Sequence, residues 1–119
     1  TLYANGNRLP IYEEVLNYPV NYTTSNTRTI GLSDINKLLI MNDATMNYVY
    51  VPLNSTTAFP LGSQITLTSY GTGRITVVPI STVVINATPG LLTRTRYSTA
   101  TLVKTGSPDT WLLYGDLTA

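Results

Sequence analysis

In SQITLTSY, residues 63–70, apolar Ile65 and Leu67 point to one side of an extended chain, while Gln64, Thr66 and Thr68 point to the other. That period of two marks a strand with one dry and one wet face. From Tyr22 onward the same kind of run recurs, rich in Val, Ile, Thr and Tyr and separated by Gly, Pro, Asn, Ser and Asp. The spacing predicts strands near 37–41, 47–51, 63–70, 73–78, 81–86, 99–105 and 110–114. LSDINKLLI has some local helical character, with Ser33 or Asp34 as a cap; a turn followed by a strand is the stronger expectation. ITVVPISTVVINA is more continuously apolar, as expected where a second sheet or a neighbouring subunit covers the outer face. Seven or so short strands without a long helix predict an all-β protein with a β-sandwich or jelly-roll-like body.

Residues 1–21, TLYANGNRLPIYEEVLNYPVN, break the pattern. They hold Pro10 and Pro19 and both Glu residues, and keep no sustained period. They read as an irregular N-terminal arm with at most one helical turn around Glu13 to Asn17. The chain thus divides into an extended arm, 1–21, and one β-domain, 22–119. The arm's apolar residues Leu2, Tyr3, Leu9, Ile11, Tyr12, Val15, Leu16 and Tyr18 have no place in a core that closes without them, so they are expected to meet a partner.

YGTGRITV, residues 70–77, raises the question of a phosphate-binding glycine loop. Such a loop needs a helix directly after it whose N-terminus faces the anion. The residues after YGTG read as a strand, so YGTG is expected to be a tight hairpin turn in which glycine supplies a positive φ.

Composition narrows the function further. Charged residues make up 11% of the 119 residues and the net charge is +1, against about 25% charged in an ordinary soluble domain. So weak a field argues against nucleic acid, whose binding requires many phosphates to be neutralised, and against an anionic membrane surface. The longest apolar runs, such as LLIM at 38–41, fall far short of the roughly 20 residues that cross a bilayer as a helix. There is no cysteine and no histidine, which removes thiolate chemistry and both the usual general base and the commonest metal ligand. The six carboxylates are Glu13 and Glu14 on the arm and Asp34, Asp43, Asp109 and Asp116 beside turn residues, where Asp commonly accepts backbone N–H groups. The expectation is a protein that is not an enzyme and needs neither metal nor cofactor.

Two clusters remain as candidate contacts. Arg94, Arg96 and Tyr97 form the basic-aromatic group of the chain; two residues apart on a strand, the arginines would share a face and clamp an anion or an acidic partner, or else make a solvated strand face or an inter-subunit salt bridge. Trp111, with Leu113 and Tyr114 in DTWLLYGDL, reads as core or subunit interface, with sugar stacking as the alternative for the Trp. Three Asn-X-Thr/Ser triplets, at Asn21, Asn54 and Asn86, arise readily in so Thr-rich a chain.

Three segments carry a family resemblance: DINKLLIMN (34–42), FPLGSQITLTSYGTGRITV (59–77) and VVINATPGLLTRTRYSTATLVKTGSPDTWLLYGDL (83–117). Together they resemble a β-rich module of tailed-bacteriophage virion proteins, over about the last four fifths of the chain, with RYSTATL and WLLYGDL the most specific parts. TRTRYST has Thr where the family commonly has Gly, and Pro79 interrupts the Val run. The resemblance implies a homotrimer on head fibres, tail fibres or the capsid surface, made in the bacterial host cytoplasm and placed on the outside of the virion. It implies either of two roles. One is a capsid decoration, or cement, protein whose arm lashes the major capsid protein, with Trp111, Leu113 and Tyr114 in the trimer interface or core. The other is a fibre tip that binds a host receptor or glycan, with Arg94, Arg96 and Tyr97 as polar contacts.

Overall fold

The computed structural model describes residues 3–4, 7–8 and 19–119. Strands β1 (Tyr3–Ala4) and β2 (Asn7–Arg8) pair antiparallel as a two-stranded ribbon. The anticipated helical turn at 13–17 lies outside the described residues. The body is all-β, as the alternation predicts, and consists of two mixed sheets. One runs β3 (Val20–Thr23), β5 (Leu38–Met41), β7 (Gln64–Ser69), β11 (Thr99–Gly106), β12 (Thr110–Gly115), β9 (Val84–Ala87). The other runs β13 (Leu117–Thr118), β10 (Leu92–Thr93), β8 (Ile75–Pro79), β6 (Asn47–Val51), β4 (Thr27–Thr29). All seven strands expected from the periodicity are present. The six that were not expected, β1 and β2 in the stretch read as an irregular arm and β3, β4, β10 and β13 in the body, have two to four residues each, too short to display a period. Because β3 begins at Val20, residues 20 and 21 belong to the sheet.

The chain alternates between the sheets from β3 to β8, and successive visits to one sheet lie side by side and parallel: β3, β5, β7 in one and β4, β6, β8 in the other. This half is a coil whose turns each contribute one strand to each sheet. The second half closes it with antiparallel pairs, β7 with β11, β11 with β12, β8 with β10, and β10 with β13; β9 alone returns parallel, along the far edge of β12. The core lies between the sheets. Leu39, Met41, Ile65, Leu67, Leu102, Trp111 and Leu113 come from one side, and Val49, Val51, Ile75, Val77 and Leu117 from the other. Alternation along β6 and β7 places these side chains inward and Thr, Tyr and Gln outward.

The coil corrects the expectation for YGTG. Residues 70–74 carry the chain from β7 in one sheet to β8 in the other, so the turn is not a hairpin, and among the described glycines positive φ is confined to Gly62 and Gly115. Gly71 and Gly73 are required by close backbone approach. The loop between β5 and β6 stacks directly on this one: Gly73 N–H donates to Asp43 O at 3.1 Å and Tyr70 N–H to Met41 O at 2.9 Å. A Cβ on Gly71 would lie 2.5 Å from Asp43 O, and one on Gly73 would overlap Thr45 O. Asn47, fully buried, fastens the stack by donating from Nδ2 to Gly73 O at 2.9 Å and Thr45 O at 3.2 Å.

LSDINKLLI resolves to a single 3-10 turn, Leu32–Asp34, followed by β5. Its Asp34 is fully buried and takes the Gly31 N–H at 2.9 Å, the Arg28 guanidinium at 2.6 Å and the Asn21 amide at 2.7 Å. The carboxylate thereby pins β3, β4 and the turn to one another.

Candidate functional site

Charge in the described body is arranged by exclusion. Arg28, on β4, and Lys104, on β11, point inward; the other charged residues, Asp34, Lys37, Asp43, Arg74, Arg94, Arg96, Asp109 and Asp116, sit in turns or at strand ends. The outward faces of both sheets therefore carry no charged strand residue. On the six-stranded sheet the register aligns Val20, Leu38, Thr66, Thr101 and Tyr114 in one row, with Tyr22, Ile40, Thr68 and Thr99 in the next. The threonines bond across the strands, Thr66 to Thr101 at 3.1 Å and Thr99 to Thr68 at 3.3 Å, so the middle of the face satisfies its own hydroxyls and its flanks are apolar. Tyr22 is 57% exposed, Tyr114 51%, Val84 50% and Val20 48%.

Two shallow hollows adjoin on this face. One is lined by Asn36, Lys37, Gln64, Thr66, Thr101 and Tyr114, the other by Asn86 to Thr88 and Leu112 to Gly115, so Tyr114 stands between them. In ITVVPISTVVINA, Ile75, Val77 and Val83 are buried in the core, while Val84 faces outward. Among the described residues, nothing covers the outer side of Val84, which is 50% exposed.

The Arg94, Arg96, Tyr97 group is placed differently from the expected strand face. Residues 94–98 form the turn between β10 and β11, so the two arginines diverge. Arg94 makes a bidentate ion pair with Asp116, Nε to Oδ1 at 2.8 Å and Nη2 to Oδ2 at 3.0 Å, and Ser98 Oγ donates to the same carboxylate at 2.7 Å. The Arg94 and Ser98 bonds hold the Asp116 carboxyl below its ordinary range. Arg96 instead donates from Nε to Tyr70 O at 3.1 Å and lies 4.9 Å from the centre of the Tyr97 ring, which meets Tyr70 edge-on at 5.4 Å. Tyr97 adopts φ 68°, a left-handed conformation that is unusual for so bulky a residue. The tyrosine pair is missed by sequence reasoning, because 27 positions of chain separate its members and only the stacked turn at 70–74 brings them together.

Trp111 and Leu113 are core residues, each 1% exposed, and Trp111 meets Phe59 edge-on at 5.2 Å. Tyr114, the third residue of that group, is on the outer face. The buried Trp has no free face for a sugar within the single chain. Of the arm residues, Leu2, Leu9, Ile11, Tyr12, Val15, Leu16 and Tyr18 lie outside the described residues, and Tyr3 is described only as part of β1.

The four body carboxylates are engaged within the fold. Asp43 accepts the Thr45 N–H at 2.8 Å, and its side-chain and backbone bonds to Thr45 lower its pKa. Asp109 accepts the Asn54 N–H at 2.7 Å. Burial pushes Asp34 up, but the Gly31, Arg28 and Asn21 bonds outweigh it and leave the carboxyl below its ordinary range. Among the described residues, no three His, Cys, Asp or Glu side chains gather closely enough to hold a metal ion, and no helix is long and apolar enough to cross a membrane. No protein-family model matches the chain, and no curated protein matches its sequence.

Proposed function

We propose that this chain is a non-enzymatic structural protein of a tailed-bacteriophage virion: a homotrimeric capsid decoration protein that sits on the outer shell. The observation that carries the assembly role is the outer face of the six-stranded sheet, on which no strand residue is charged and Lys37 stands only at the rim, with Val20, Tyr22, Val84 and Tyr114 about half exposed. Charge depletion with exposed Tyr and aliphatic groups is the composition of an interface core, and a patch of this kind invites burial against protein. The phage assignment is supported by the resemblance of residues 34–42, 59–77 and 83–117. In this role the body trimerises through sheet faces and the apolar arm residues Leu2 to Tyr18 bind the major capsid protein. Burial of both ties shell subunits together against internal pressure. Stabilisation comes from apolar area, about 25 cal/mol per Å², less the entropy of ordering the arm.

The test is copy number on purified particles, by quantitative mass spectrometry against the major shell protein. A number comparable with that of the shell subunits is expected; a handful of copies would overturn the decoration role. Deleting residues 1–18, which spares β3, is expected to leave the trimer intact and abolish shell binding.

A second reading, a head- or tail-fibre tip that binds a host receptor or glycan, is favoured by the Arg96, Tyr97 and Tyr70 cluster. Tyr97 is 58% exposed and Tyr70 47%, which offers aromatic edges beside a guanidinium. Loss of cell or glycan binding in Tyr97→Ala, with the trimer unchanged, would establish it.

A further inference from the structure

Two charged side chains of the described body are buried, Asp34 and Lys104. Asp34 has the Arg28 guanidinium as its counter-charge. Lys104 has none among the described residues, where no carboxylate stands within ion-pair distance of it. It projects from β11 into the core beside its cross-strand partner Trp111, is 3% exposed, and holds its ammonium 6.0 Å from the centre of the Trp111 ring. Among the described residues its one hydrogen-bond acceptor is the Asn54 side-chain amide, with Nζ 2.8 Å from Oδ1. Asn54 is itself held in place, its backbone N–H bonded to Asp109 Oδ1 at 2.7 Å. A primary amine is thus fixed against a carboxamide, in a site lined by Trp111 and largely closed to water.

We propose that Lys104 and Asn54 join in an intramolecular amide bond, formed by the folded chain without an enzyme. Lys104 Nζ passes one proton to the Asn54 carboxamide, to which it is already hydrogen-bonded, and attacks Cγ; the Nζ–Cγ bond forms and the Cγ–Nδ2 bond breaks. Two of the three ammonium protons pass to Nδ2, which departs as ammonium, and one stays on the new amide nitrogen. No oxidant or co-reactant enters. Burial supplies the drive as well as the geometry. The fold holds the two groups at contact distance, which replaces a bimolecular encounter, and the product amide is neutral, so the reaction removes a buried charge from the surroundings of Trp111. The same closure protects the product from hydrolysis. The bond would tie β11 of one sheet to the loop after β6 of the other, a covalent link across the sandwich, and it is independent of the virion assignment.

The experiment is the intact mass of the purified wild-type chain under denaturing conditions, followed by peptide mapping. The chain is expected to run one ammonia, about 17 Da, below the mass of its sequence, with a branched peptide that contains both residue 54 and residue 104 and no tryptic cleavage after 104. Lys104→Arg and Asn54→Ala are each expected to run at full mass and to unfold at lower temperature. A wild-type chain at full mass after prolonged folding at neutral pH would overturn the proposal. So would a loss of ammonia that maps to residue 54 alone, which is closure of Asn54 on its own backbone. Both wild-type outcomes are read without requiring any variant to fold.

Discussion

The coiled half of the body, β3 to β8, and the closing half, β9 to β13, solve the same packing problem with different materials. Where the turns of the coil stack, at 43–47 and 69–74, the interior is made of backbone and small polar groups. Asn47 and Ser69 are fully buried and both donate to Gly73 O, and Gly71 and Gly73 lie against the Asp43 to Thr45 backbone. In the closing half, large side chains fill the space, Trp111 with Leu102 and Leu113 alongside, and Trp111 meets Phe59 from the loop between β6 and β7. Backbone contact is the less forgiving of the two. A packed side chain can be trimmed and its neighbours relax part of the way, whereas a stacked turn has no side chain to yield.

Gly73→Ala therefore gives the largest effect. The added methyl overlaps Thr45 O and forces successive turns of the coil apart, at a cost of about 5 kcal/mol or more. Trp111→Ala, in the closing half, is expected to cost about 4 kcal/mol through the cavity it leaves. Chemical denaturation of the two variants orders the halves. A Gly73→Ala protein close to wild type, beside a crippled Trp111→Ala, would mean that the coil is held by its apolar strands and that the stacked turns are incidental.

Asp34→Asn probes the polar junction of the coil more gently. Asparagine keeps an acceptor for Gly31 N–H but withdraws the counter-charge of Arg28, whose side chain is 33% exposed. The expected loss is about 2 kcal/mol at neutral pH. Its pH dependence has a definite sign. The folded carboxyl titrates below its ordinary value of 3.8, so in that interval the unfolded chain holds more protons and stability rises with pH. The contribution is complete above the unfolded value and disappears as pH falls through the folded one. Thermal melts from pH 6 down to about pH 2 should show wild type and Asp34→Asn converging below about pH 4. A gap that stays constant with pH would mean that the Asp34 charge is not what the variant removes.

The contrast also explains what was legible in the sequence. In β6, β7 and β11 apolar residues alternate against Thr, Tyr and Asn, and that period fixes strand position and inward face, whereas β5 (LLIM) and β8 to β9 read as strands through their apolar, β-branched content between turn residues. The core residues Ile65 and Leu67 come from it directly, while Trp111 and Leu113, in an apolar run without a period, read only as core or subunit interface. Strand direction and partner do not, because Ile65 shows the same alternation whether its neighbour runs parallel, as Leu38 to Met41 do, or antiparallel, as Thr99 to Val103 do. Hence the coil was not visible, and YGTG looked like a hairpin when its glycines answer to a backbone 28 residues earlier. The uncharged outer face was half legible: scarcity of charge is plain from composition, but its confinement to turns and inward positions requires the register. The Lys104 and Asn54 contact gave no signal, since the two residues are 50 positions apart and lie together only after the sheets close.

The smallest effect belongs to Arg94→Ala. Its ion pair with Asp116 has the better geometry of the two in the body, with two parallel bonds, yet the side chains are 61% and 40% exposed. Water and salt screen such a pair, and holding two mobile side chains together offsets most of what remains. The turn it spans is already held by other bonds. Arg94 N–H reaches Asp116 O at 3.1 Å, Tyr97 N–H reaches Ser69 O at 2.7 Å, Asp116 N–H reaches Thr99 O at 3.0 Å, and Ser98 Oγ keeps its bond to the carboxylate. Arg94→Ala should therefore melt with wild type at both low and high salt, although it removes an ion pair as surely as Asp34→Asn does. A loss comparable with that of Asp34→Asn would show that this turn, and not the buried junction at Asp34, is where charge holds the sandwich together.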